Sequence, residues 1–249
     1  MNNILWTGGW DSTFRVLDLV LIKGREVQPY YVLDMARKST KIELETMQNI
    51  KSLVGVLKPG ADQLIKDHIY IKLDEIPHNE QITKQFKSLY AESFLGSQYD
   101  WLGRYVESIG LNDLELCIHK DDKAEAFVRN DVLKVVDGND QYYKLSPTPK
   151  KEALLLFKNY HFPLLQMTKV EMGEIAKANN FAHIMEQTWF CHTPTVDNKP
   201  CGLCNPCKYT REEGLGRRVP RPPLRKYLYL EIRQLLSRIK KLLLNKKPR

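Results

Sequence analysis

Asn3-Ile4-Leu5-Trp6-Thr7-Gly8-Gly9-Trp10-Asp11-Ser12-Thr13 decides how the rest of the chain is read. Residues 3–6 form a short apolar strand, Gly8 and Gly9 make a turn, and a helix is expected over 11–23, closed by Gly24. A strand that runs through glycines into a helix start leaves unpaired backbone N–H groups and the positive end of the helix dipole facing one point. An anion fits there. Two glycines let the backbone approach phosphate oxygens, and Thr7, Ser12 and Thr13 add hydroxyl donors. Asp11 is placed to hold Mg²⁺, and the plainer use of Asp11 or Ser12 is to cap the helix. No lysine and no G-x-x-x-x-G-K-[ST] pattern occur in this stretch, which excludes the nucleoside-triphosphatase P-loop.

Strands and helices alternate outward from this unit. A strand at 27–33 leads to a helix opened near Ser39 or Thr40, with Glu43 placed as a capping partner, that ends before Pro59. A strand follows at 69–73, then a helical tract over 81–109 broken at Gly96, then a strand at 114–119. That order implies parallel pairing with right-handed crossovers. Residues 132–136 and 141–145 flank Asp137-Gly138-Asn139 and read as a hairpin. Beyond them lie a helix at 150–158, a short strand at 162–165, and a helix to Asn179 opened by a Thr168 and Glu171 capping box. The expected class is α/β, a doubly wound parallel sheet followed by a cysteine module and a basic helical tail, divided at 1–187, 188–216 and 217–249. Tyr99, Trp101 and Tyr105 fall at helical spacing, and Trp101 is assigned to the core.

The 249 residues suffice for a full core, and 43% hydrophobic with 27% charged residues excludes disordered and disulfide-scaffold classes. No apolar run reaches spanning length and the start lacks a signal-peptide pattern, so a cytoplasmic protein is expected. The net charge of +8 is unevenly held: residues 217–249 carry 12 Lys and Arg against Glu231 alone, which leaves 26 basic and 29 acidic groups, or −3, on 1–216. The body is therefore no general nucleic-acid binder. In the tail, Leu228, Ile232, Leu235, Ile239 and Leu242 repeat at helical spacing among basic residues. Such a helix packs on its own body or across a homodimer, binds a protein partner, or contacts nucleic acid or an anionic membrane surface.

Cys191, Cys201, Cys204 and Cys207 crowd into seventeen positions, with Cys117 apart. Four thiolates at this spacing read as a closed structural zinc site, with an iron–sulfur cluster and two disulfides as the competing uses and His192 as a bystander. His119 and Asp121, near a strand end, are candidates to orient a substrate or to act as acid and base.

Thr7-Gly8-Gly9-Trp10-Asp11-Ser12 resembles the S-G-G-x-D-S loop of the PP-loop ATP pyrophosphatase superfamily, Thr7 keeping the hydroxyl of the first serine. Thr188-Trp189-Phe190-Cys191, the run Cys201-Gly202-Leu203-Cys204-Asn205-Pro206-Cys207, Arg211, Pro163-Leu164 and Thr168-Lys169-Val170-Glu171 narrow the likeness. Together they resemble the 7-cyano-7-deazaguanine synthase branch over about residues 3 to 213. The resemblance implies an adenine nucleotide alpha-hydrolase-like fold, with catalysis by Asp11, Ser12 and Lys169. ATP with Mg²⁺ would be bound by Thr7, Gly8, Gly9, Asp11, Ser12, Thr13, Asp34 and Gln98, and substrate by Arg37 and Ser39 beside His119 and Asp121.

Two stretches depart from that branch. Met35-Ala36-Arg37-Lys38-Ser39 replaces Y-G-Q-R-H, and Cys117-Ile118-His119-Lys120-Asp121-Asp122 replaces an aspartate- and arginine-containing segment. The nucleotide half is kept and the substrate half altered. The implied activity is an ATP-dependent ligase of queuosine biosynthesis that adenylates 7-carboxy-7-deazaguanine, or a similar acid, and passes it to ammonia or another amine. The alternatives are transfer to a protein amine in a defence system, tRNA thiolation, and a nucleotide-binding regulator.

Overall fold

The computed structural model describes residues 1–120 and 122–221. The chain divides into two units, Met1–Trp189 and Phe190–Arg249. The tail helix expected beyond residue 221 and the candidate Asp121 lie outside the described residues.

In the first unit, β1 (Asn2–Leu5) passes through Thr7-Gly8-Gly9 into α1 (Trp10–Leu17), which continues as a π-helical turn, Asp18–Ile22, and stops at Gly24 with φ +64°. β2 (Val27–Leu33), α2 (Thr40–Leu57) and β3 (Ile69–Lys72) follow. The tract broken at Gly96 is two helices, α3 (Glu80–Glu92) and α4 (Gln98–Ser108). β4 (Leu114–Glu115) is shorter than expected. Leu116 still donates to the His161 carbonyl at 2.9 Å, but the Ile118 N–H turns back to the Leu116 carbonyl at 2.8 Å and the backbone leaves the ladder. After α5 (Glu125–Val128) come the hairpin β5 (Val132–Asp137) and β6 (Asp140–Leu145), then β7 (Tyr160–Phe162). α6 (Lys169–Ala178) opens on the expected box: Thr168 Oγ1 accepts from the Glu171 N–H at 3.2 Å while Glu171 accepts from the Thr168 N–H at 2.7 Å. α7 (Ala182–Met185) ends the unit. The expected helix at 150–158 is a 3-10 segment, Glu152–Phe157.

The strands form one seven-stranded sheet in the order β3-β2-β1-β4-β7-β6-β5. β3, β2, β1, β4 and β7 run parallel, and the hairpin adds two antiparallel strands at one edge, so the sheet is mixed. β1 and β2 build outward to one side, and the chain then returns to place β4 against the other flank of β1. The crevice at the carboxyl ends of β1 and β4 is thus the topological switch point, where open α/β sheets bind ligands. Tyr30, Leu89, Leu102, Val106, Leu114, Phe157 and Phe162 form a core of buried side chains between the sheet and α3 and α4. Each contributes roughly 1.5–3 kcal/mol by leaving water.

Below the switch point, at the other end of α1, Arg15 is 1% exposed. Its Nε and Nη2 each bond a Glu115 carboxylate oxygen of β4 at 2.7 Å, while Nη1 reaches Asp140 of β6 at 2.9 Å and Asp18 at 3.0 Å. Asn2 donates to Glu115 at 2.9 Å, and Lys23 lies 3.2 Å from Asp140. One guanidinium thus ties the helix behind the glycine turn to the central strand and to the hairpin.

Arg15→Met strands Glu115 and Asp140 as buried carboxylates, and urea unfolding should show a loss of about 3–5 kcal/mol. Asp140 also sets an acid limit. Burial raises its pKa, but the hydrogen bonds and charge of Arg15 outweigh this and hold it down to about 2. Its stabilisation is complete above the ordinary value of 3.8 and disappears as pH falls through about 2, a loss on the order of 2 kcal/mol. Unfolding at pH 5 and pH 2 should differ by that much more in the parent than in Asp140→Asn.

Candidate active site and metal centre

Gly8 takes φ +68°, and a Cβ there would meet Met47 Cγ and Thr46 Cγ2 at 3.2 Å and the Glu43 carbonyl at 3.3 Å, so the turn lies directly on the first turns of α2. Its carbonyl accepts from the Trp189 N–H at 2.8 Å. Gly9 is the N-cap of α1 with φ −76° and ψ 168°, and no side chain caps the helix. The first intrahelical donor is the Thr13 N–H, bonded to the Gly9 carbonyl at 3.0 Å, so the Asp11 and Ser12 N–H groups have no partner within the helix. Thr13 is spoken for, because its Oγ1 accepts from the buried Trp6 indole at 3.0 Å. Ser12 Oγ accepts from the Thr7 N–H and faces Thr7 Oγ1, both at 3.4 Å, closing the turn on itself.

Asp11, in the first turn, faces residues from two other elements. Lys169 Nζ, at the start of α6, is 3.4 Å from Asp11 Oδ2, and His119 Nδ1 is 3.8 Å from the same oxygen. His119 is also 3.9 Å from Asp122 Oδ2 and only 4% exposed. Burial pushes the Asp122 carboxyl up, against the lowering effect of the Ala124 N–H and of His119. The crevice therefore holds two carboxylates, an imidazole and an ammonium around an open helix N-terminus. Asp11 Oδ1 is buried and has no hydrogen-bond partner among the described residues. A lone hard oxygen of this kind suits Mg²⁺ carried in by substrate phosphates.

At the carboxyl end of β2, Asp34 Oδ1 accepts from the Ala36 N–H at 3.0 Å and the Asp34 carbonyl from Thr40 Oγ1 at 2.7 Å. Both bonds shape the turn that carries Arg37 and Ser39. Glu43 does not cap α2. Its buried carboxylate accepts from the Tyr31 hydroxyl at 2.8 Å and from Arg37 Nη2, because a strand side chain and a guanidinium outcompete the helix N–H for it. Ser39 is wholly buried in helical backbone geometry, its Oγ without a partner among the described residues. Leaving a hydroxyl so costs about 1–3 kcal/mol. Gln98 opens α4 exposed, with its amide folded against Gly96, and no hydrogen bond among the described residues ties it to the turn. Tyr99, beside it, is buried against Phe157. Its phenol is raised by burial, and further by the charges of Asp122 and Asp11.

In the second unit the four cysteine sulfurs lie within 4.8 Å of one another. Cys191 and Cys204 are 3.8 Å apart, Cys201 and Cys207 3.9 Å, and Cys204 and Cys207 3.4 Å. Sulfurs at about 2.3 Å from a tetrahedral zinc stand about 3.8 Å apart, so the set fits a single such ion. These separations exclude disulfides, whose sulfurs lie about 2.05 Å apart. Gly202, at φ +73°, turns the backbone so that the Leu203 and Cys204 N–H groups both donate to Cys201 Sγ at 3.3 Å, and Cys201 N–H donates to Cys191 Sγ at 3.2 Å. Such donors favour thiolates. Contact with Cys207 pulls the Cys204 thiol down to about 4. In α8 (Asn205–Thr210) and its continuation, Arg211 donates to the Gly202 carbonyl at 2.7 Å and to the Pro220 carbonyl at 3.1 Å.

A mixed sheet with a glycine turn at its switch point and a four-cysteine centre near the end of the chain make an α/β fold of a kind consistent with the PP-loop superfamily. The family model described as "Queuosine biosynthesis protein QueC" matches residues 102–218, a likeness consistent with the QueC-like branch of that superfamily. The matched span takes in His119, Lys169 and all four cysteines, while residues 7–13 lie outside it. No curated protein matches the chain with significance. Among the described residues no helix is long and apolar enough to cross a membrane.

The purified protein should carry about one equivalent of zinc by elemental analysis. Cys204→Ser should lose it and raise hydrogen exchange across residues 190–221, since the ion's binding energy folds a loop-rich segment.

Proposed function

We propose that the chain is an ATP-dependent ligase-type enzyme acting on 7-carboxy-7-deazaguanine or a similar acid, as the family likeness suggests. The observation that carries the reading is the pairing of an uncapped helix N-terminus with Lys169 and Asp11 at the switch point of the sheet. The Asp11 and Ser12 N–H groups and the dipole of α1 receive the β- and γ-phosphates of ATP, with Thr7 and Ser12 hydroxyls at their edge. Lys169 neutralises charge that builds on the departing pyrophosphate. Mg²⁺, held by Asp11 and the phosphates, would supply further charge neutralisation.

The carboxylate oxygen of the acid attacks the α-phosphorus, the bond from that phosphorus to the β-bridging oxygen breaks, and pyrophosphate leaves. A nitrogen nucleophile then attacks the activated carbonyl carbon, forms the C–N bond and expels AMP. No covalent enzyme nucleophile is needed, and the gain comes from positioning and electrostatics. His119 and Asp122 stand where the acid and the incoming nitrogen meet, and the cysteine centre serves structure, since four thiolates leave no open position on the ion.

Supplied with ATP, Mg²⁺ and 7-carboxy-7-deazaguanine, the protein should yield AMP and pyrophosphate. Asp11→Asn and Lys169→Met should each lower that rate about 100-fold while thermal melting stays near the parent. ADP and phosphate as products would sink the reading.

A further inference from the structure

Glu43, Tyr31, Arg37 and Ser39 form a cluster at the turn between β2 and α2 that the nucleotide chemistry does not use. Glu43 is 5% exposed and its carboxylate needs compensation, which comes from the Tyr31 hydroxyl on the strand and from Arg37 in the turn. Tyr31 is itself 2% exposed, so Glu43 is anchored from the sheet side and cannot drift toward solvent. The carbonyl of the same residue lies under Gly8. Arg37 is a third exposed, and among the described residues its guanidinium is held through one nitrogen. Its Nε is buried without a partner among the described residues, so a fork built for bidentate bonds is half engaged. Ser39, two residues on, is the second unsatisfied donor. A serine at this position usually caps its helix, but here the backbone is helical and the hydroxyl makes no such bond. Two buried donors two residues apart in one turn, both without a partner among the described residues and one carrying positive charge, fit a ligand bearing a carboxylate or a carbonyl oxygen.

We propose that Glu43, backed by Tyr31, is the positioning residue of the acid-binding subsite, fixing Arg37 so that its guanidinium and the Ser39 hydroxyl grip the acid substrate. The proposal rests on the adenylating reading above. The same carboxylate that orients Arg37 belongs to the helical turn on which Gly8 rests, so the acid grip and the phosphate turn share one support. Glu43→Gln keeps the shape and the Tyr31 bond but drops the charge that holds Arg37. Tyr31→Phe loosens the anchor while leaving the Arg37 pair. Glu43→Asp keeps the charge on a shorter arm.

The test measures pyrophosphate release with 7-carboxy-7-deazaguanine, varying acid and ATP separately, together with direct titration of that acid by calorimetry and thermal melting of each variant. Glu43→Gln should raise KM for the acid about tenfold or more, with a smaller change in KM for ATP. Ser39→Ala should move KM for the acid in the same direction. Glu43→Asp should recover part of the loss, and Tyr31→Phe should fall between. A parent that turns over normally, with Glu43→Gln lowering only the melting temperature or shifting both KM values equally, would overturn the inference and leave the adenylating reading intact. A parent that neither binds nor turns over the acid would overturn that reading and this subsite with it.

Discussion

The Arg15 guanidinium is the constraint on which the first unit turns. Glu115 sits in a two-residue strand that has little ladder to hold it, and Asp140 begins a strand at the far side of β7. Arg15 bonds both, in a setting where an unpaired charge of either sign is expensive. Apolar packing could bury the same volume, but it would not specify which strand lies beneath which helix. Because α1 carries Arg15 at one end and Asp11 at the other, the bond that locks the helix over β4 also fixes where the open N-terminus points.

The consequence is seen at the upper end of the same elements. β4 leaves the ladder after Glu115, and Ile118 turns back on Leu116, so the strand that Arg15 clamps from below delivers His119 and Asp122 to the crevice. Lys120 then pairs with the Met167 carbonyl, one residue before the cap of α6, which brings Lys169 to Asp11. Four charged or titratable groups from three distant stretches meet because the lower network fixes register and the capping box fixes the entry of α6. Their placement is inherited from the scaffold.

Features written locally were legible in the sequence. The glycine turn, the Thr168 and Glu171 box and the Asp-Gly-Asn hairpin each depend on backbone conformations that neighbouring residues dictate, and each formed where read. The cysteine cluster was legible for the same reason, since Gly202 and short spacings bring the sulfurs together without help from afar. What escaped was set by partners far along the chain. Arg15 reads as an ordinary helical arginine until Glu115 and Asp140, 100 and 125 positions away, are brought to it. Glu43 reads as a cap because it lies three residues after Thr40 and four after Ser39, yet Tyr31 and Arg37 claim it. Asp122 carries no such sequence signal, because its approach to His119 depends on how the backbone leaves the ladder after Glu115.

The division between these two kinds of feature also separates chemistry from specificity. A phosphate-binding turn needs only backbone N–H groups, a helix end and small residues, and such a site survives wide change elsewhere in a chain. The acid subsite proposed above would be assembled from side chains whose orientation depends on second partners, Arg37 through Glu43 and His119 through Asp11 and Asp122. Substituting any of those partners re-aims a donor without disturbing the glycine turn. In the proposed ligase, substrate choice could thus change while the phosphate-facing turn is retained. The departures from the resembling branch fall in the two stretches, 35–39 and 117–122, that supply Arg37, His119 and Asp122.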